Sequence, residues 1–292
     1  MRMQALLLGL TVVWGCGDEG FTFNPEPSPL ELRSLVVPVD EADGSETVRL
    51  RYAWVNLTEM DDPPVVVFQF GGPGSSAVEF LARLIPILPP WLTERFALVG
   101  MDEIGVGGSV PINCPNLGAA VDEAYLHPFV ESSTQAHVDT WAGSTFDCMT
   151  SYRYAEQIGT ERHARDLDRL RVELQREKLH FFTYSYGTRV ALTYAAQFPD
   201  RVGRMVLDSP VDPRVSHVAQ LRLQALARDR SIRQFLDWCE ARAECTFTRQ
   251  DFLGAFERLR TQPPSAAIEF LIILQGLLFE LQWPSVAAAI AD

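Results

Sequence analysis

The 292-residue chain carries a serine in a setting suited to nucleophilic attack. Thr183-Tyr184-Ser185-Tyr186-Gly187 stands between an apolar run at 179–184 and a helix-forming run at 187–198. A nucleophile elbow needs that order: a buried strand, a sharp turn carrying the serine, then a helix. The usual pattern is Gly-x-Ser-x-Gly, and Thr183 stands at the first glycine position. A serine before a helix more often serves as an N-cap, so the flanking elements carry the reading, not the pentapeptide. A second segment, Gly71-Gly72-Pro73-Gly74, directly follows the apolar run 65–70. Acyl transfer needs backbone N–H groups aimed at a developing oxyanion. Gly72 would supply one donor and Tyr186, the residue after the serine, the other; Pro73 has no N–H to give.

These residues need a sheet to hold them. Residues 35–39 and 47–57 alternate apolar and polar side chains around Asp43-Gly44, a hairpin signal. The runs 65–70, 96–101, 179–184 and 202–207 read as buried strands. Helical spacing appears over 78–87, 160–174 and 187–198, with Ala164, Leu167, Leu170 and Leu174 on one face. Strands alternating with helices predict an α/β fold, a mostly parallel sheet with helices on both faces. Residues 111–157 lack periodicity and read as loop, and after Pro213 only helical patterns follow. The expected organisation is a signal segment at 1–16, a tether at 17–31, a core at 32–212 and a helical cap at 213–292.

Composition narrows the class. The chain is 47% hydrophobic and 22% charged, which excludes a disordered chain and a small disulfide scaffold. Its net charge of −13 opposes binding to a nucleic-acid backbone, which needs a cationic face. Arg2 precedes the mostly apolar run 5–14, which is followed by Gly15-Cys16-Gly17-Asp18. A membrane span needs about 20 apolar residues, so this run has the size of a signal-peptide core. Val13-Trp14-Gly15-Cys16 resembles a bacterial lipobox, with Cys16 as the lipidated residue; plain secretion is the alternative. The apolar stretch 266–281, interrupted by Glu269, Gln275 and Glu280, reads as a helix of the cap core.

Four cysteines remain after Cys16, and four allow three pairings among which sequence does not choose. The short Cys239…Cys245 spacing favours that pair, with Cys114–Cys148 as the other. No Cys-x-x-Cys or His-x-x-x-His pattern is present, so neither a metal nor another cofactor is expected.

Several of these motifs together resemble one family. Gln69-Phe70-Gly71-Gly72-Pro73-Gly74-Ser75-Ser76 is similar to the Gly-Gly-Pro-Gly segment of the secreted tripeptidyl aminopeptidase and proline iminopeptidase group of α/β-hydrolases. Asp102-Glu103-Ile104-Gly105-Val106-Gly107-Gly108-Ser109 resembles that group's Asp-x-Arg-Gly-x-Gly-x-Ser turn, with Ile104 replacing the Arg. Tyr184-Ser185-Tyr186-Gly187-Thr188, then Phe198-Pro199-Asp200-Arg201-Val202 and Val206-Leu207-Asp208, match in order. The resemblance runs over about residues 32–213. It implies a Ser-His-Asp peptidase acting near a substrate N-terminus, a helical cap and a Cys114–Cys148 disulfide. Its partners would be a peptide or small ester substrate, no nucleic acid, and a membrane only through a lipid on Cys16.

The rest of the triad is the weak point. In this fold the chain order is Ser, acid, His. His127, His137, His163 and His180 precede Ser185, and His217 opens the helical region, so each reads as a surface or structural histidine. Asp208 ends the strand after the nucleophile helix, where some α/β-hydrolases keep their acid, but the resembled group places it later. Six strands are legible where the fold has eight, and the alanine-rich stretch 286–292 has no closing signal. The sequence therefore predicts a site without acid or base, inactive in this chain. A non-catalytic exported binding protein and a carboxylesterase are the rival readings.

Overall fold

The computed structural model describes residues 29–40, 44–110, 112, 114, 134–152, 154–243, 245–259, 283–284 and 287. The signal segment with Cys16, His127, and the 266–281 stretch lie outside the described residues. The strands are β1 (Leu30–Pro38), β2 (Thr47–Val55), β3 (Val65–Gln69), β4 (Ala97–Met101), β5 (Leu179–Tyr184) and β6 (Val202–Asp208). The helices are α1 (Ala77–Leu84), α2 (Pro90–Thr93), α3 (Thr134–Ser151), α4 (Thr160–Glu173), α5 (Tyr186–Gln197), α6 (His217–Glu240) and α7 (Arg249–Leu259). The chain divides into two compact units, Met1–Ile112 with Arg153–Pro213, and Asn113–Tyr152 with Arg214–Asp292. Residues 113–152, which the sequence places with the core, thus cluster with the second unit.

The first unit is one six-stranded sheet in the order β1-β2-β4-β3-β5-β6. β1, β2 and β4 pair antiparallel, and β4, β3, β5 and β6 pair parallel. Strand periodicity sends alternate side chains to opposite faces, so a strand covered on both faces must be apolar throughout. β3 and β4 obey this except at Gln69, every residue being buried, and Gln69 Nε2 donates to Met101 O at 3.0 Å. Val65, Val67, Ala97, Val99 and Met101 enter one core, where Ala164, Leu167 and Leu170 of α4 and Val190, Ala191 and Tyr194 of α5 cover them. Val66, Phe68 and Leu98 enter the other, under Ala77, Val78 and Leu81 of α1. β1 shows the half-covered pattern, with Leu35 and Val37 buried and Val36 exposed.

Two expectations need correction. The helix expected over 78–87 ends at Leu84 and continues as a 3-10 turn, Ile85–Ile87, because Pro86 cannot supply an α-helical N–H bond. The expected loop 111–157 contains α3. That helix has no apolar stripe, with Phe146 and Met149 both exposed, so periodicity could not reveal it.

The second unit holds α3, α6 and α7 and a small core of Phe235, Leu236, Cys239, Phe252, Trp283 and Ala287. Two disulfides lie in it, Cys114–Cys148 and Cys239–Cys245, with Cα separations of 5.6 and 5.3 Å. Among the described residues no helix is long and apolar enough to cross a membrane, and no three His, Cys, Asp or Glu side chains converge as a metal site.

Candidate functional site

Ser185 occupies the turn between β5 and α5 with φ 53° and ψ −122°. This left-handed conformation is uncommon for a residue with a side chain and is held only where the surroundings demand it. Although Ser185 stands at the N-cap position, its side chain makes no capping hydrogen bond. That separates it from an ordinary capping serine, such as Ser76, whose oxygen accepts from Glu79 N at 3.2 Å.

Two glycines allow the close approach this turn requires. A Cβ on Gly187 would overlap the Gln69 carbonyl and stand 2.9 Å from Phe70 N, so α5 rests directly on the end of β3. A Cβ on Gly71 would lie 3.4 Å from Ser185 Cβ and 3.6 Å from its Oγ. The Gly71–Gly74 loop therefore borders the serine at Gly71. Within it Gly72 has φ 120°, open to glycine alone, and the Gly72-Pro73 peptide is cis. Tyr186 begins α5, where the first backbone N–H groups have no partner within the helix. Thr183, at the first glycine position, is fully buried and donates through Oγ1 to Val206 O at 3.3 Å.

A carboxylate that sequence reading did not single out braces the loop. Asp102 is 1% exposed and accepts from Ser76 Oγ (2.8 Å) and Val78 N (3.2 Å) through Oδ1. Its Oδ2 accepts from Arg51 Nη2 (3.0 Å), Arg51 Nε (3.2 Å) and Gly108 N (3.3 Å). One buried side chain thereby ties β2, the start of α1 and the 102–109 turn together. The guanidinium on this turn comes from Arg51, while Ile104, where the resembled pattern has Arg, is buried in the core. Next to it, Glu103 accepts from Gly74 N–H; burial raises its carboxyl above the ordinary range, Gly74 pulls it down and Asp102 pushes it up again. Tyr186 is raised mainly by burial and then by Glu103, and its hydroxyl shares a 2.8 Å hydrogen bond with Thr160.

Neither histidine described with its side chain in this unit is bonded to Ser185. His180 Nδ1 accepts from Arg204 N at 2.9 Å. His163 is 3% exposed, and neither ring nitrogen has a partner among the described residues. Burial pushes its pKa down to about 4, with Asp102 pulling the other way. Of His137 and His217, only the backbone is described, in α3 and α6 of the second unit. Asp208 offers Ser185 its backbone, accepting from Ser185 N at 2.9 Å, while its carboxylate accepts from Ser209 Oγ at 3.0 Å.

Comparisons with known proteins agree with this geometry. The serine protease Hip1 of Mycobacterium tuberculosis (strain CDC 1551 / Oshkosh) is 34% identical over 259 residues, covering 84% of this chain and 48% of that protein. The tripeptidyl aminopeptidase of Streptomyces coelicolor is 32% identical over 197 residues, covering 64% of this chain and 36% of that protein. Carboxylesterase B of the same Mycobacterium strain is 30% identical over 214 residues, covering 71% and 41%. The chain spans less than half the length of these relatives. The family model described as the alpha/beta hydrolase fold matches residues 64–270, from the start of β3 through the elbow and beyond, and the chain belongs to that family.

Proposed function

We propose that the chain carries the nucleophile and oxyanion-binding half of a serine peptidase acting on peptides with a free N-terminus. The observation that carries this reading is Ser185, left-handed, uncapped, and packed against Gly71. Its Oγ would attack the substrate carbonyl carbon, and the oxyanion formed would accept from Gly72 N–H and Tyr186 N–H. The serine proton goes to a base supplied by residues outside those described, which then protonates the leaving amine. Without that base the site is a poor nucleophile. The kinship with Hip1 and the tripeptidyl aminopeptidase supports a peptide substrate. Export, with Cys16 as a lipid attachment site, goes with that reading.

Similarity to carboxylesterase B favours a second reading, ester hydrolysis at the same serine. The two separate on substrate choice. With imidazole present as a base, a free tripeptide p-nitroanilide, its N-acetyl form and p-nitrophenyl acetate are each compared with the S185A background. Faster cleavage of the free peptide supports the aminopeptidase. Cleavage of the ester alone supports the esterase, and no rate above background with any substrate supports a non-catalytic binding protein.

A further inference from the structure

We infer that Thr188 is a positioning residue for Ser185, its hydroxyl being the clasp through which the segment Asp208–Val211 holds the serine backbone. This rests on the reading of Ser185 as nucleophile. Both backbone polar groups of Ser185 are engaged from that side. Its N–H donates to Asp208 O at 2.9 Å. Its carbonyl accepts from Thr188 Oγ1 at 2.6 Å, and the same Oγ1 accepts from Val211 N at 2.8 Å.

The direction of this relay is set by chemistry. A hydroxyl has one proton and two lone pairs, so donation to Ser185 leaves it free to accept from an amide. Thr188 itself is fully buried, while its partners Ser185 and Val211 are half-buried. Val211 lies two residues before Pro213, where the first unit ends. The chain leaving the sheet is therefore fastened to the nucleophile turn before it departs. Thr188 N also donates to Ser185 O at 3.0 Å, but that bond is made by the backbone of any residue. The side-chain bonds are what Val cannot make and Ser can.

The test compares T188V and T188S with the wild-type chain by amide hydrogen exchange read residue by residue. The expected result is an acceleration of about tenfold or more at Val211 and Ser185 in T188V, with Leu179–Phe182 unchanged and T188S restoring protection. No change at those two amides, or a uniform loss across β5 that T188S does not restore, overturns the clasp. A second readout uses S185C, whose thiol titration is followed by iodoacetamide alkylation. If Ser185 is the nucleophile at the N-terminus of α5, the expected thiol pKa lies below the ordinary value of about 8.5. Adding T188V should raise it and adding T188S should not; equal values in all three overturn the positioning role. An ordinary titration in S185C itself, with deprotection in T188V retained, counts against the nucleophile reading and leaves the backbone clasp standing.

Discussion

Gly187 and Gln69 meet backbone to backbone: the space a Gly187 side chain would take is filled by the Gln69 carbonyl. The contact seats α5 on the end of β3 and so brings Ser185 to the Gly71 loop. Gly187→Ala should therefore cost about 1–3 kcal/mol, the usual penalty of overpacking. Urea denaturation measures it, and an unchanged midpoint would contradict the contact.

Gly71→Ala should behave differently. Its added methyl meets Ser185 Cβ at 3.4 Å, close to ordinary contact, so the fold should tolerate it. The same methyl stands 3.6 Å from Oγ, where an approaching substrate must pass. The expected outcome is a stability change within about 0.5–1 kcal/mol and a roughly tenfold slower acylation of Ser185 in the presence of imidazole.

Asp102 should be costly to neutralise. D102N sets an amide NH2 against donors that now reach a carboxylate and leaves Arg51 only Glu79, at 3.8 Å, as a counter-charge, a loss of about 1–3 kcal/mol. R51M should cost less, because Arg51 is 29% exposed and Asp102 keeps Ser76, Val78 and Gly108 as donors. Denaturation of both variants gives the order, and R51M more damaging than D102N would refute the hub.

His163 should make the fold acid-sensitive. The unfolded ring takes a proton near 6.5, the folded ring only near 4, so stability falls as pH drops through that window. The contribution is about 3 kcal/mol. Glu103 and Asp166, both raised by burial, push the other way, so the informative quantity is a difference. H163L should lose less stability than wild type between pH 7 and 4; an equal loss in both proteins contradicts this.

The sheet and the elbow were legible because they follow local pattern. The short, largely apolar runs of β3 and β4, bounded by turn residues, fit strands covered on both faces, and Ser185 follows such a run. Arg51 was invisible as a partner of Asp102, since the two are 51 residues apart and joined only by β2 lying beside β4. For the same reason the replacement of the pattern's Arg by Ile104 gave no hint that a guanidinium reaches the turn from the neighbouring β2. His163 gave no sign of its burial, because one histidine in a charged helix resembles a solvated residue. Helix α3 escaped because a helix exposed on most sides carries no periodic signature.

The central claim is that Ser185, beside Gly71 and with no histidine bonded to it among the described residues, is a nucleophile. It is tested most directly by fluorophosphonate labelling of the 292-residue chain, mapped by peptide mass spectrometry, with and without imidazole. The account predicts modification at Ser185, faster with imidazole, and none in S185A. Absence of modification under both conditions would contradict the nucleophile.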